Sequence, residues 1–587
     1  MAINLFKVSN FYTMRSYVSP HVPVPNVNLQ SVSCSAKAEL PHLRPVIKRR
    51  SANYPPTIWT YNFVQSLNNH NADVLYKEKA RKLEEEVRRL INNESQEMLT
   101  TLELIDGIQR LGLAYLFEKD IKGALDRFVS MGGCHVLPRK SLHAIALSFR
   151  LLRQHGYEVY QDDFKDFMDQ KGELLKCFKK DVQGILSFYE ASFCNLEGED
   201  LLEKAKTETK VYLNDLQRNS KSDTVESISH ALELPLCRRM VMLEARWYIE
   251  AYNKREDSNY TLLELAKLNF NMAQSILQRD LKDMSRWWNN LGLANKLSFS
   301  RDRLMECFFW TIGMAFEPQF SSCRKGLTKV TSLITTIDDV YDVYGTLDEL
   351  EVFTDAVERW DVNAVRDLPN CMQLSFLALY NTINEMAYET LKEQGEHIIP
   401  YLTKAWADLC KAFLQEARWS HSKCIPSFDD YVENGWRSAS GNVILVHAYF
   451  LLGHNSKQAL DSLLNYHDIL RWPSVVFRLC NDLATSSDEL NRGETANSIS
   501  CYMFENRVSE EQAREQINKL IDKAWTKMNE YHIGATHFGE PFIEAAINVA
   551  RIPQCIYRHG DDHGAPDSRS KERVWSLIIE SISLVDS

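Results

Sequence analysis

Asp338, Asp339 and Asp342 stand in the run Ile334-Thr-Thr-Ile-Asp-Asp-Val-Tyr-Asp-Val-Tyr-Gly345, and their spacing is that of a cation site. On a helix, Asp338 and Asp342 fall four residues apart on one face, with Asp339 beside them. Two carboxylates stacked after a largely apolar run are costly without a cation to neutralise them. A hard, oxygen-seeking ion such as Mg2+ suits these donors. A solvated helix edge in an acidic protein is the other reading of the same residues.

A second constellation decides between them. In Arg478-Leu-Cys-Asn481-Asp482-Leu-Ala-Thr485-Ser-Ser-Asp-Glu489, the residues Asn481, Thr485 and Glu489 come at successive four-residue steps. On a helix they form one stripe of amide carbonyl, hydroxyl and carboxylate oxygens. Set opposite Asp338 and Asp342, that stripe makes the second wall of a metal-binding cavity in a helical bundle.

With these residues in view the chain resembles the plant terpene synthases that start their reaction by metal-assisted ionisation, and specifically the plastid monoterpene synthases. The marks are Arg49-Arg50 followed after eight residues by Trp59, Arg301-Asp-Arg303, the Asp338 motif and the Asn481/Thr485/Glu489 triad. Phe149-Arg-Leu-Leu-Arg-Gln-His-Gly156 and Leu243-Glu-Ala-Arg-Trp-Tyr248 match as well. The resemblance implies that Asp338, Asp342, Asn481, Thr485 and Glu489 hold three Mg2+ or Mn2+ ions, with Asp339 and Asp482 as supporting neighbours. Those ions would clamp the diphosphate of geranyl diphosphate. Arg301, Arg303 and Arg478 match its arginine contacts, for which the bidentate, permanently charged guanidinium is suited. Trp310 matches a tryptophan that faces the allylic cation, with Phe477 and Tyr557 as further aromatic faces. Arg49 and Arg50 match tandem arginines associated with isomerising geranyl to linalyl diphosphate, or with closing the site against water.

Several features test that reading. Asp162-Asp163-Phe-Lys-Asp166 repeats the aspartate motif in a polar stretch to which the resemblance assigns no catalysis, and no DxDD of a protonation-started cyclase occurs. His559-Gly-Asp-Asp-His563 resembles a metal cluster but matches a loop at the pocket rim. Arg492-Gly-Glu-Thr-Ala-Asn497 resembles the branch that makes acyclic hydrocarbons and isoprene, where many makers of cyclic products carry Lys at position 497. Isoprene synthases narrow the pocket with phenylalanines; Phe477 matches one, while Thr331 stands where another would be. The expected product is therefore an acyclic monoterpene of the ocimene, myrcene or linalool kind. Alternatives are a cyclic product such as limonene or terpineol, a sesquiterpene, isoprene, and a non-catalytic protein that binds prenyl diphosphates.

The elements that position these residues read as helices throughout. Apolar residues recur at helical spacing over residues 73–93, 101–111, 121–128, 142–154, 182–192 and 201–214. Longer and more apolar helices are predicted over 262–281 and 303–316. Residues 330–337 are rich in β-branched side chains, yet their helical flanks and the lack of a partner strand predict helix. The fold expected is all-α, with two helical domains: an N-terminal α-barrel-like domain at 49–260, led by a capping strand, and a C-terminal catalytic bundle at 261–587.

Composition limits the function classes. A net charge of −11 argues against a general nucleic-acid binder, and no apolar run reaches membrane-spanning length. The thirteen scattered cysteines include no CxxC pair, which fits free thiols in a reducing compartment. Residues 1–48 are rich in serine and proline, with no acidic residue before Glu39, as in an organelle transit peptide. The expected setting is the chloroplast stroma, with a small-molecule substrate and a monomeric enzyme.

Overall fold

The computed structural model describes residues 49, 52–68, 74–138, 140–169, 173–219, 224–453, 456–492, 496–534 and 537–584. The segment read as a transit peptide, and Arg50, lie outside the described residues. Among those described there is no β-strand, only an isolated bridge between Met168 and Leu174, and no helix is long and apolar enough to cross a membrane. All twelve described cysteines are unpaired thiols.

Helices Leu142–Gln154 and Val182–Ser192 coincide with their predicted ranges and pack on each other in the N-terminal half. Each starts at a side-chain cap: the Ser141 hydroxyl accepts the Ala144 N–H at 3.2 Å, and Asp181 accepts that of Gly184 at 2.8 Å. Arg150 and Arg153 are buried in the first of these helices and are matched by Asp106 and Glu199. Asp162 and its neighbours form a short 3-10 helix, Gln161–Phe167, where Asp162 is exposed and pairs with Lys165 at 2.7 Å. That second aspartate motif is a surface feature.

A 32-residue helix, Tyr260–Leu291, joins the halves. It packs on Val74–Ile91, on Leu304–Met314 and on Ser321–Asp339. It runs ten residues past its predicted end because Asp280, Met284, Ser285 and Trp288 continue its buried face. Its interior side-chain amides donate to the end of the chain: Asn271, Gln274 and Gln278 give N–H groups to the carbonyls of Ile582, of Leu577 and Glu580, and of Ile578. Buried amides without such partners would be destabilising.

The aspartate helix, Ser321–Asp339, contains the β-branched run as predicted. Thr331, Thr335 and Thr336 fit the buried helix by donating to the carbonyls of Leu327, Thr331 and Ser332, four residues back. After Asp339 the chain widens into a π-helical turn, Val340–Tyr344, closed by the Gly345 N–H on the Val340 carbonyl at 2.8 Å. Such turns recur at functional sites because they re-aim side chains within a helix. Helical spacing predicts a regular α-helix through Asp342; the turn replaces it because the next helix, Leu347–Arg359, packs close against Gly345. A Cβ at Gly345 would come within 2.4 Å of Leu350 Cδ2 and 3.1 Å of the Val340 carbonyl, and Leu350 is buried in that helix.

Gly345→Ala is therefore expected to strain this junction by about 1–3 kcal/mol, read as an earlier urea midpoint with an unchanged m-value. A midpoint equal to that of the unaltered chain would show that the close approach does not shape the turn.

Candidate active site

The two acidic walls face one cavity of about 220 Å³, many times the roughly 10–15 Å³ that one water needs. Thr331, Ile334, Thr335 and Asp338 line it from the aspartate helix at helical spacing, and Asp342 joins them from the π-turn. Arg478, Asn481 and Thr485 line it from helix Asp468–Arg492. Glu489 is on the same helix, beyond the residues whose side chains are described. Helices Ile399–Ser422, Phe428–Ser438 and Gly441–Leu452 complete the walls with residues such as Phe413, Glu416, Ser438 and Ile444. Between the last two, Ser440 takes a left-handed conformation (φ +67°), so one helix stops and the next restarts beside the cavity.

Four carboxylates (Asp338, Asp342, Glu416 and Asp561) and two guanidiniums (Arg301 and Arg478) line the cavity among the described residues. The balance is anionic and suits cations. No three His, Cys, Asp or Glu side chains among the described residues gather as a ready-made ligand cluster. The donors are two carboxylates on one wall and an amide and a hydroxyl on the other. This fits Mg2+, which binds to one or two carboxylates and completes its shell with water and substrate phosphate. The Thr485 hydroxyl donates to the Asn481 carbonyl at 2.9 Å, so its oxygen serves the cavity as an acceptor.

Among the residues expected at the site, Asp339, Arg303 and Arg49 stand outside the cavity lining. Asp339 does not line the cavity: it is fully buried behind it, accepting from the Ser300 hydroxyl at 2.9 Å and the Arg301 backbone N–H at 2.7 Å. Its carboxylate also lies 2.9 Å from Arg301 Nε. Burial pushes Asp339 up to about 6 despite that guanidinium. Asp339 thus anchors Arg301 from behind the cavity, in the position of a supporting neighbour. Arg301 reaches forward from it to Asp338. Asp482 plays the same part for Arg478: fully buried, it takes the Arg478 Nε at 2.8 Å and the Tyr431 hydroxyl and Ser498 N–H at about 3 Å.

Arg303 also stands outside the lining. Only 2% exposed, it donates to the carbonyls of Pro55, His563 and Gly564 at 2.8–3.0 Å rather than lining the cavity. It pins the N-terminal strap and the 559–564 loop over the site. Tyr54 of that strap lines the cavity, with Arg301 stacked 4.8 Å over its ring. Arg49 also stays out of the cavity. It pairs with Glu349 and donates to the Tyr344 carbonyl of the π-turn at 2.9 Å. Asn497 caps helix Ser498–Asn506, accepting the Ser500 N–H at 2.8 Å, and is likewise absent from the lining.

The aromatic faces gather at one end. Trp310 lies 4.7 Å from Phe477 and 6.2 Å from Tyr557 by ring centroids, and all three line the cavity. Sequence reasoning assigned no part to Tyr54, Glu416, Thr335, Asp561 or His563. Only the last two carried a signal, in the His559–His563 run, which the resemblance sets at the pocket rim and from which Asp561 and His563 line the cavity. The His563 ring is buried and accordingly held neutral, well below the usual imidazole range.

Comparison with known proteins agrees with this geometry. Residues 58–232 match the family model "Terpene synthase, N-terminal domain", and residues 289–527 match "Terpene synthase family, metal binding domain". The chain is 57% identical to a chloroplastic isoprene synthase of Populus alba, over 91% of this chain and 90% of that one. It is 54% identical to a chloroplastic tricyclene synthase of Medicago truncatula, over 92% and 93%. The crystal structure of isoprene synthase from grey poplar leaves, in complex with three Mg2+ ions and dimethylallyl-S-thiolodiphosphate, superposes with a TM-score of 0.84 at 56% identity, covering 90% of this chain and 99% of that one. The all-α chain with its two facing walls belongs to the terpene synthase family and is a lyase acting on a prenyl diphosphate.

Proposed function

We propose that this enzyme ionises geranyl diphosphate and releases an acyclic monoterpene and diphosphate. The observation that carries the ten-carbon reading is the depth of the cavity along the aspartate helix. Thr331 lines it seven residues before Asp338, about 10 Å away at 1.5 Å per residue. With carbon–carbon bonds of about 1.5 Å, the main chain of a five-carbon prenyl group spans roughly half that depth, and that of a ten-carbon group roughly all of it. The small Thr331 side chain leaves the lower half open, while Phe477 and Trp310 offer it aromatic faces.

Asp338, Asp342, Asn481 and Thr485, with Glu489 on the same helix, would hold three Mg2+ or Mn2+ ions. When bound, these supply the positive charge that neutralises the leaving diphosphate. Arg301 and Arg478, each tethered by a buried aspartate, are poised to donate to phosphate oxygens. Arg303 and Arg49 act by fastening the strap that excludes water. The run from Arg492 to Asn497 supports the acyclic outcome by its resemblance; of it, Ala496 lines the cavity and Asn497 caps the next helix. The family matches support an N-terminal domain over residues 49–260 and a catalytic domain over 261–587. The chloroplastic relatives and the composition of residues 1–48 support a plastid enzyme, working in the stroma as a monomer.

A second reading is isoprene formation from dimethylallyl diphosphate, favoured by the identity to poplar isoprene synthases and by Phe477. Protein lacking residues 1–48, supplied with either diphosphate and Mg2+, separates the two. Faster diphosphate release from the ten-carbon substrate, with an acyclic product by gas chromatography, is expected; preference for the five-carbon substrate would replace the first reading by the second. Thr331→Phe should lower kcat/KM for geranyl diphosphate about tenfold or more and spare the shorter substrate, and an unchanged ratio would refute the depth argument. Asp338→Ala should lower kcat by at least about 10²-fold with helicity intact by circular dichroism; retained turnover would remove it from the ligand set.

A further inference from the structure

Behind Trp310 lies a second, much smaller void of about 20 Å³, lined by Glu306, Trp310, Asp562 and His563 and covered by Trp59 of the strap. A space of that size holds one water and no more. Three polar atoms of its lining residues, Glu306 Oε2, Trp310 Nε1 and His563 Nδ1, are buried and have no hydrogen-bond partner among the described residues. Buried polar groups left in that state are rare and costly.

Their chemistry is complementary to a single water. With the Thr335 hydroxyl donating to the Thr331 carbonyl at 3.1 Å, the imidazole is assigned the donor part in its 3.1 Å contact through His563 Nε2. His563 Nδ1 is then an acceptor, Glu306 offers a carboxylate acceptor, and the Trp310 indole N–H is a donor. One water gives two protons and takes one, which satisfies all three.

We propose that this void is a built water site and that Glu306, through that water, fixes the Trp310 and His563 rings at the cavity wall. Glu306 is thus a positioning residue for the reaction. Its neighbours agree: burial raises its carboxyl to about 7, with Arg303 and a hydrogen bond from Trp59 opposing the rise. The water would stand beside Trp310 and His563, which line both the void and the main cavity. Its part is to hold an aromatic face at a set angle, and the angle of that face decides which cation is stabilised.

The kinetic part rests on the ten-carbon reading; the water site does not. A crystal structure of the unaltered enzyme should show a water within hydrogen-bonding distance of all three atoms, and an empty void would overturn the proposal. With geranyl diphosphate, Glu306→Leu should leave KM within about threefold, lower kcat about tenfold and broaden the product mixture. Glu306→Gln, which keeps an acceptor oxygen, should restore most of both. A Leu variant with unaltered kcat and products, or a Gln variant as impaired as Leu, would refute the water-mediated role. If the unaltered enzyme releases no diphosphate from geranyl diphosphate, the substrate reading fails, and the crystal structure alone judges the site.

Discussion

Arg301 is held by two neighbouring carboxylates of unlike burial, and the site depends on that inequality. Asp339 is sealed from solvent and receives two further hydrogen bonds; Asp338 remains partly exposed at the cavity. A buried charge is tolerable only with its partner in place, so the Asp339 contact is the permanent one. The Asp338 contact is the more exposed of the two: with a cation bound at Asp338, the guanidinium would stay tethered from behind by Asp339. The same construction recurs across the cavity, where Asp482 holds Arg478. Each arginine is thus oriented before any substrate arrives, and little reorganisation remains for the moment of ionisation.

The enclosure depends on a different use of arginine. Arg303 spends its donors on backbone carbonyls from two segments far apart in sequence, and Arg49 on a carboxylate and a carbonyl at the π-turn. Both tie irregular chain, which has few contacts of its own, to the ends of helices. The strap therefore meets the metal-binding motif through the Tyr344 carbonyl, and the closing of the mouth and the geometry of Asp342 share one junction.

Helical periodicity made most of this architecture legible in sequence, and the two oxygen-bearing stripes located the cavity. The ranges of Leu142–Gln154 and Val182–Ser192 needed no correction because their apolar faces and side-chain caps agree. The π-turn was not legible, since it is imposed by a contact between Gly345 and Leu350 that helical spacing does not encode. Adjacent residues of one motif also proved unlike: Asp338 and Asp339, or Arg301 and Arg303, differ by which way the backbone turns them. Type and spacing name a set of candidates, and burial assigns each its part. Glu416 and Tyr54 carried no signal at all, because their place at the cavity arises from helices and chain remote in sequence.

The long helix Tyr260–Leu291 bears on what the N-terminal half is for. Asp280 of that helix and Arg324 of the aspartate helix form an ion pair with neither side chain exposed, and Arg324 also donates to the Ala315 and Glu317 carbonyls. The same helix also packs on Val74–Ile91, where Lys79 pairs with Glu264. A half that supplies no metal donor is thus mechanically continuous with the one that does. Substitutions along that one helix therefore bear on both halves at once, since its residues pack on Val74–Ile91 and on the helix that carries Asp338.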